Sequence, residues 1–134
     1  MARSVYLARL IGPPLVIIAL GMLIDQGGFM ELSRNFMADP ALIYVASAAG
    51  LFVGLAIVLA HNVWTPDWRV LITLLGWVSM LDSASWMLAR RQITDVWRPL
   101  LDSTLWPQAG GAITLLLGAI LVYFGYLRRR TEAD

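Results

Sequence analysis

Between Pro40 and Ala60 the chain runs for twenty-one residues without a single charge, and nothing else in it constrains the fold as strongly. Three further blocks are nearly as apolar: 5–24, 67–89 and 107–127. Each block is about 20 residues long. At about 1.5 Å of rise per residue, a helix of that length crosses a hydrocarbon core roughly 30 Å thick. Composition agrees, because 59% of the 134 residues are hydrophobic and 14% are charged. Soluble domains sit nearer about 45–50% and about 25%. The expected fold is all-α: a polytopic membrane protein forming one membrane domain over 1–134, with transmembrane spans at about 5–24, 40–60, 67–89 and 107–127.

Local signals place the span ends. Asp39 is an N-cap candidate and Pro40 suits the first helical position. Thr65-Pro66-Asp67 offers a cap, an N1 proline and an acidic first turn to the third span. Pro13 and Pro14 lie inside the first span, where neighbouring helices tolerate the break in the hydrogen-bond ladder. No small-x-small cleavage pattern follows Ile24, so the first span is expected to be retained. Tyr123, Phe124 and Tyr126, with Trp64 and Trp68, fall where an interfacial aromatic belt belongs.

The connections between spans one and two and between three and four are themselves periodic. Phe29, Leu32, Phe36 and Met37 recur at helical spacing, as do Ile93, Val96, Trp97, Leu100, Leu101 and Leu105. Both read as amphipathic helices lying in the interface, at about 29–37 and 93–105, the second bent by Pro99. A shift of 64 residues aligns the chain with itself. It brings Gly12 onto Gly76, Gly54 onto Gly118, Arg34 onto Arg98, and Phe29, Leu32, Phe36 and Met37 onto Ile93, Val96, Leu100 and Leu101. The expected organisation is therefore two tandem repeats of helix, interfacial helix, helix, at about 4–64 and 65–130.

Charge limits the functions on offer. The net charge is +1, which gives no face able to neutralise several phosphates, so nucleic acid is not an expected partner. With no Cys there are no disulfides, thiolate nucleophiles or Cys-ligated metals. One His makes no intrachain metal or bis-His haem site, and no cofactor is expected. No catalytic spacing, phosphate loop or paired membrane carboxylate is present, so no enzyme is expected. Four spans put both termini on one side. That side carries Arg3, Arg9, Arg69, Arg128, Arg129 and Arg130, against Arg34, Arg90, Arg91 and Arg98 on the other. The positive-inside rule then favours cytoplasmic termini.

Three groups of residues are candidates for a site. Asp82 is the only charge inside its block after Arg69, and a carboxylate in a span costs about 2.5–3.5 kcal/mol on insertion scales. Ser79 and Ser83 flank it, and Ser47 and Thr114 are expected near its depth, one of them as a hydrogen-bond partner. The bland reading is a buried polar packing group; the sharper one is an ion or proton pathway. The second group is the turn His61, Asn62, Trp64, Asp67, Trp68 and Arg69. Its simplest reading is structural: His61 and Asn62 close a helix C-terminus, the tryptophans anchor the interface, and Asp67 pairs with Arg69. The third is the pair of small-residue stripes, Ala46, Gly50 and Gly54 in span two and Gly110, Thr114 and Gly118 in span four. These are expected to bring spans two and four together, or to join protomers.

The run His61-Asn62-Val63-Trp64, then Asp67-Trp68-Arg69-Val70 and Thr73-Leu74-Leu75-Gly76-Trp77, resembles an uncharacterised family of small four-span proteins of bacterial, chiefly proteobacterial, inner membranes. The opening Tyr6-Leu7-Ala8-Arg9-Leu10-Ile11-Gly12-Pro13-Pro14 is similar to theirs as well. The resemblance implies a multi-pass protein of a bacterial inner membrane and carries no activity or site residues with it. The leading expectation is a protein that acts by assembly in the lipid bilayer, as a homo-oligomer or as an accessory subunit of a larger membrane complex. The alternative is an oligomeric ion channel or small transporter with Asp82 on its pathway.

Overall fold

The computed structural model describes residues 2–103 and 105–127, and these form six α-helices and no strand. They are α1 (Ala2–Ile24), α2 (Gln26–Ala38), α3 (Pro40–Ala60), α4 (Arg69–Leu88), α5 (Arg90–Leu101) and α6 (Leu105–Val122), whose last turn continues as a π-helix over Tyr123–Leu127. Four helical stretches are long and apolar enough to cross a membrane: Arg3–Ile24, Pro40–Ala60, Arg69–Leu88 and Leu105–Leu127. The protein is thus a multi-pass, all-helical membrane protein. Arg128, Arg129 and Arg130 lie outside the described residues.

The helix boundaries follow from caps. Asp39 closes α2 and opens α3, its carboxylate accepting from the amides of Ala41 and Leu42 at 2.9 and 3.1 Å, with Pro40 at the first helical position. Asp25, which reads from sequence as simply solvated, is the N-cap of α2 and accepts from the Gly28 amide at 2.9 Å. The third span departs from expectation. Thr65 and Pro66 do not cap it; residues 61–68 are non-helical and α4 begins at Arg69, whose amide is taken by the Asp67 carboxylate at 2.8 Å. α5 starts earlier than expected, at Arg90, and ends at Leu101, so Pro99 falls in its final turn. Pro13 and Pro14 stay within a continuous α1.

The spans pair as α1 with α6 and α3 with α4. This corrects the first of the two expectations for the glycine stripes, that spans two and four pack on each other within the chain. A Cβ on Gly54 would stand 2.6 Å from the backbone nitrogen of Met80 and 2.9 Å from the Gly76 carbonyl, both on α4. A Cβ on Gly118 would stand 2.9 Å from the backbone nitrogen of Val16 on α1. Each stripe therefore receives the backbone of a different helix, and only glycine allows that approach. The short 61–68 link makes α3 and α4 antiparallel neighbours, whereas α1 and α6 come from the two ends of the chain.

The buried positions of α3 are Ile43, Ser47, Gly54 and Ile57, and those of α6 are Pro107, Gly111, Gly118 and Leu121. Each member of the second set lies 64 residues beyond its counterpart in the first, as position 80 lies 64 beyond 16. The two pairs meet at a cluster of Leu7, Ala8, Ile57, Ile72 and Leu121, drawn from all four spans, with Ile11, Leu15, Trp68 and Leu75 against it. In a bilayer such a cluster holds by close van der Waals contact, because lipid tails are as apolar as leucine.

Candidate functional site

Two polar clusters survive in this apolar body, at opposite ends of the α3–α4 pair. The first lies at the end that also holds the N-terminus of α1. His61 follows the last residue of α3, and its amide bonds the Ile57 carbonyl at 2.7 Å. Its ring is 3% exposed and bridges two other helices, with Nε2 2.9 Å from Ser4 Oγ on α1 and Nδ1 3.2 Å from Thr73 Oγ1 on α4. The Thr73 hydroxyl donates to the carbonyl of Val63 at 3.0 Å or His61 at 3.3 Å and accepts from the Val63 amide at 3.1 Å. Since the one Thr73 proton is directed to a carbonyl, the network fits a neutral imidazole whose Nδ1–H donates to Thr73 while Nε2 accepts from Ser4. Burial, with the nearby Arg69 charge acting in the same direction, holds His61 below its ordinary pKa of 6.5.

The turn as a whole departs from the simple reading of it. Thr73, not the His61 side chain, closes the C-terminus of α3, and His61 instead ties three spans together. Asn62 is exposed and accepts from the indoles of Trp64 at 2.7 Å and Trp77 at 3.4 Å. Trp68 stacks on Phe124 with ring centroids 5.1 Å apart, so it joins α4 to the π-helical turn of α6 rather than only marking an interface. Asp67 and Arg69 form the expected ion pair, at 2.6 Å. The guanidinium holds the Asp67 carboxyl down at about 2. Ser4 was not legible as a partner, since it lies 57 positions from His61 with no pattern linking them.

Beside this cluster the π-helical turn loosens the α6 hydrogen-bond ladder, and Arg9 occupies the opening. Its Nε donates to the Gly125 carbonyl at 2.7 Å, its guanidinium lies 5.3 Å from the centre of the Tyr126 ring, and the Tyr126 hydroxyl donates to the Arg9 carbonyl at 3.2 Å. The arginine is thereby a structural clasp between α1 and α6 as well as a charge at the membrane boundary.

The second cluster sits at the other end of the α3–α4 pair, beside α2. Asp82, Ser47 and Ser83 line a cavity of about 140 Å³, completed by Phe36 of α2, Ile43 and Ala46 of α3, and Trp86 of α4. Trp86, one turn along the same helix, lines the cavity beside Asp82, and among the described residues the Asp82 carboxylate makes the expected hydrogen bond to neither Ser47 nor Thr114. The expected partners fail for geometric reasons: Ser47 is across the cavity on α3, and Thr114 is on α6, outside the cavity lining. Ser79 is already committed, its hydroxyl donating across the helix pair to the Gly50 carbonyl at 3.1 Å. A Cβ on Gly50 would fall on the Ser83 hydroxyl, so this glycine makes room for a polar group rather than for a helix backbone. Gly110, the other stripe residue, meets only the Met22 methyl.

On the same side, α2 and α5 meet at a shallow cavity of about 290 Å³ lined by Arg34, Met37, Ala38, Thr94, Arg98 and Asp102. Arg34 and Asp102 pair there at 3.3 Å with more than half of each side chain exposed. An ion pair so solvated contributes at most about 1 kcal/mol. Among the described residues no group of three His, Cys, Asp or Glu side chains could hold a metal ion. Searches against protein-family models, curated proteins and solved structures found no match to this chain.

Proposed function

We propose that the protein acts by assembly within a bacterial inner membrane, as a homo-oligomer or an accessory subunit of a larger membrane complex, with cytoplasmic termini and no catalysis of its own. The observation that supports this most directly is the exposure of Asp82. It stands on the open side of α4, roughly 9 Å from the Leu88 end at about 1.5 Å per residue. Carboxylates at such depth face a bundle interior, a second protein surface or a water-filled cavity, because facing lipid is costly. Each span also buries no more than 28% of its residues against the others, which leaves broad apolar faces for lipid and partners. We read the chain as a tandem duplication, supported by the common 64-residue offset of its buried positions.

Native mass spectrometry from a mild detergent tests the assembly. Masses of two or more protomers, or of a protomer with a co-purifying membrane protein, are expected. A lone protomer at every detergent concentration would overturn the reading. One observation favours a second reading, an oligomeric channel or small transporter: Asp82, Ser47 and Ser83 open onto a single cavity. Cation flux into reconstituted liposomes that vanishes in Asp82→Asn, with the assembly intact, would decide for it.

A further inference from the structure

The seam between α3 and α4 is polar near the interfacial helices, and the corresponding seam between α6 and α1 is not. At the 64-residue offset that relates their buried positions, Ser47, Asp82 and Ser83 correspond to Gly111, Ile18 and Ala19. Gly111 and Ala19 are buried, as Ser47 and Ser83 are. Close helix contact of this kind is therefore achieved with no polar side chain at any of the three places. Packing does not require the carboxylate or the two hydroxyls, and all three are unfavourable inside a bilayer.

The two serines are also unsatisfied. Each is 7% exposed, and neither hydroxyl has a hydrogen-bond partner among the described residues. Serines in a helix usually return their proton to the carbonyl four residues back, as Ser85 does to Leu81 at 2.7 Å. Ser47 and Ser83 instead line the cavity with Asp82, the Ser83 hydroxyl lying beside Gly50. The residues are largely buried but their hydroxyls stay accessible, so both oxygens are free to take a further partner.

We propose that Asp82, Ser47 and Ser83 bind a small monovalent cation, sodium or one like it, in the cavity between the outer ends of α3 and α4. The donors are all oxygen, which suits a hard alkali cation and not a transition metal. One carboxylate supplies one negative charge, so a monovalent ion is neutralised where a divalent one would keep an excess charge in apolar surroundings. The cavity lining holds no second carboxylate, histidine or cysteine to bind a divalent metal. About 140 Å³ holds the ion with two or three waters, at about 30 Å³ per water, to complete its shell. Trp86, one turn along α4 from Asp82, lines the same cavity.

This inference goes beyond the assembly reading and holds for a protomer or an oligomer. The test is thermal unfolding of the purified full chain in mild detergent, with sodium chloride titrated against choline chloride at constant ionic strength. Because a ligand that binds only the folded state stabilises it by mass action, sodium should raise the Tm by several degrees and saturate. Asp82→Asn, Ser47→Ala and Ser83→Ala should each lose that response. Ser83→Ala installs the residue already present at position 19, so it should fold even if Asp82→Asn does not. Ser79→Ala should keep the response, since that hydroxyl serves the Gly50 carbonyl. Equal Tm values in sodium and choline, or a sodium response that survives the Ser47→Ala, Ser83→Ala double variant, would overturn the proposal. Native mass on the same samples separates this failure from failure of the assembly reading.

Discussion

His61 shows how much one buried ring can organise. Both its nitrogens are occupied, by Ser4 from the start of α1 and Thr73 from α4, and the Thr73 hydroxyl donates to the carbonyl of Val63 or of His61. Removing either partner leaves a buried nitrogen open, so Ser4→Ala or Thr73→Val should cost about 1–3 kcal/mol in unfolding experiments. The ring also predicts a pH dependence. Burial lowers its pKa in the folded protein from 6.5, so the unfolded chain takes up a proton that the folded one resists. The stability tied to the neutral ring is complete above about pH 6.5 and is lost as the pH falls from there toward the folded pKa. Tm measured from pH 8 to pH 5 should decline in wild type below about 6.5, and the decline should shrink in His61→Gln. Asp67 does not confuse that window. Held at about 2 by Arg69, against an ordinary 3.8, its contribution is present above 3.8 and is lost only as the pH drops toward 2.

Helix pairs carry the next level of organisation, and their glycines set its tolerance. Gly54→Leu would drive a side chain into the α4 backbone, and Gly118→Leu into that of α1. Each should lower stability by about 1–3 kcal/mol or more and loosen its own pair. Gly21→Leu is the control, because nothing stands within 4 Å of a Cβ there. Chemical or thermal unfolding of the three variants would check the contrast. A Gly54→Leu protein as stable as Gly21→Leu would contradict the α3–α4 geometry. The junctions of α2 with α1 and α3 depend on single carboxylates, Asp25 and Asp39, in the same way. Asp39→Ala removes the group that caps α3, at a cost of about 1 kcal/mol.

Across the whole molecule the decisive contact is between the two ends of the chain. α1 and α6 lie together although the rest of the protein separates them in sequence. A Cβ on Gly12 would stand 3.0 Å from both Val122 Cγ2 and the Val122 backbone nitrogen, so the helices touch there and thiols at the two positions come within bridging reach once the backbones give slightly. The chain has no cysteine to compete. Oxidation of the Gly12→Cys, Val122→Cys double variant should therefore yield an intramolecular disulfide, seen as a mobility shift that reductant reverses. A disulfide that joins only separate chains would place α6 against α1 of another protomer. Orientation is checked at the same scale: a fluorescent reporter fused after Asp134 should mature in the cytoplasm, and a phosphatase fused there should stay inactive.

Element identity was legible in the chain because it depends on local quantities. Length and hydropathy define a spanning helix without reference to neighbours, and Asp39-Pro40 marks a helix start by its own chemistry. The amphipathic connections were legible for the same reason, through periodicity. Partnership was not legible. The stripe of Gly50 and Gly54 announces that some backbone will approach, but every candidate helix in an apolar bundle presents a similar surface. Only the three-dimensional arrangement chose α4 for it, and α1 for Gly118. Polar contacts followed the same division. Asp67 and Arg69 are two residues apart and could be paired on sight, whereas Ser4 meets His61 across 57 positions. Asp82 stood out by its cost in the bilayer, but the cavity it lines with Ser47 and Ser83 depends on how α3 lies against α4. Energetic cost is a property of a residue and can be read from the chain; satisfaction is a property of a fold.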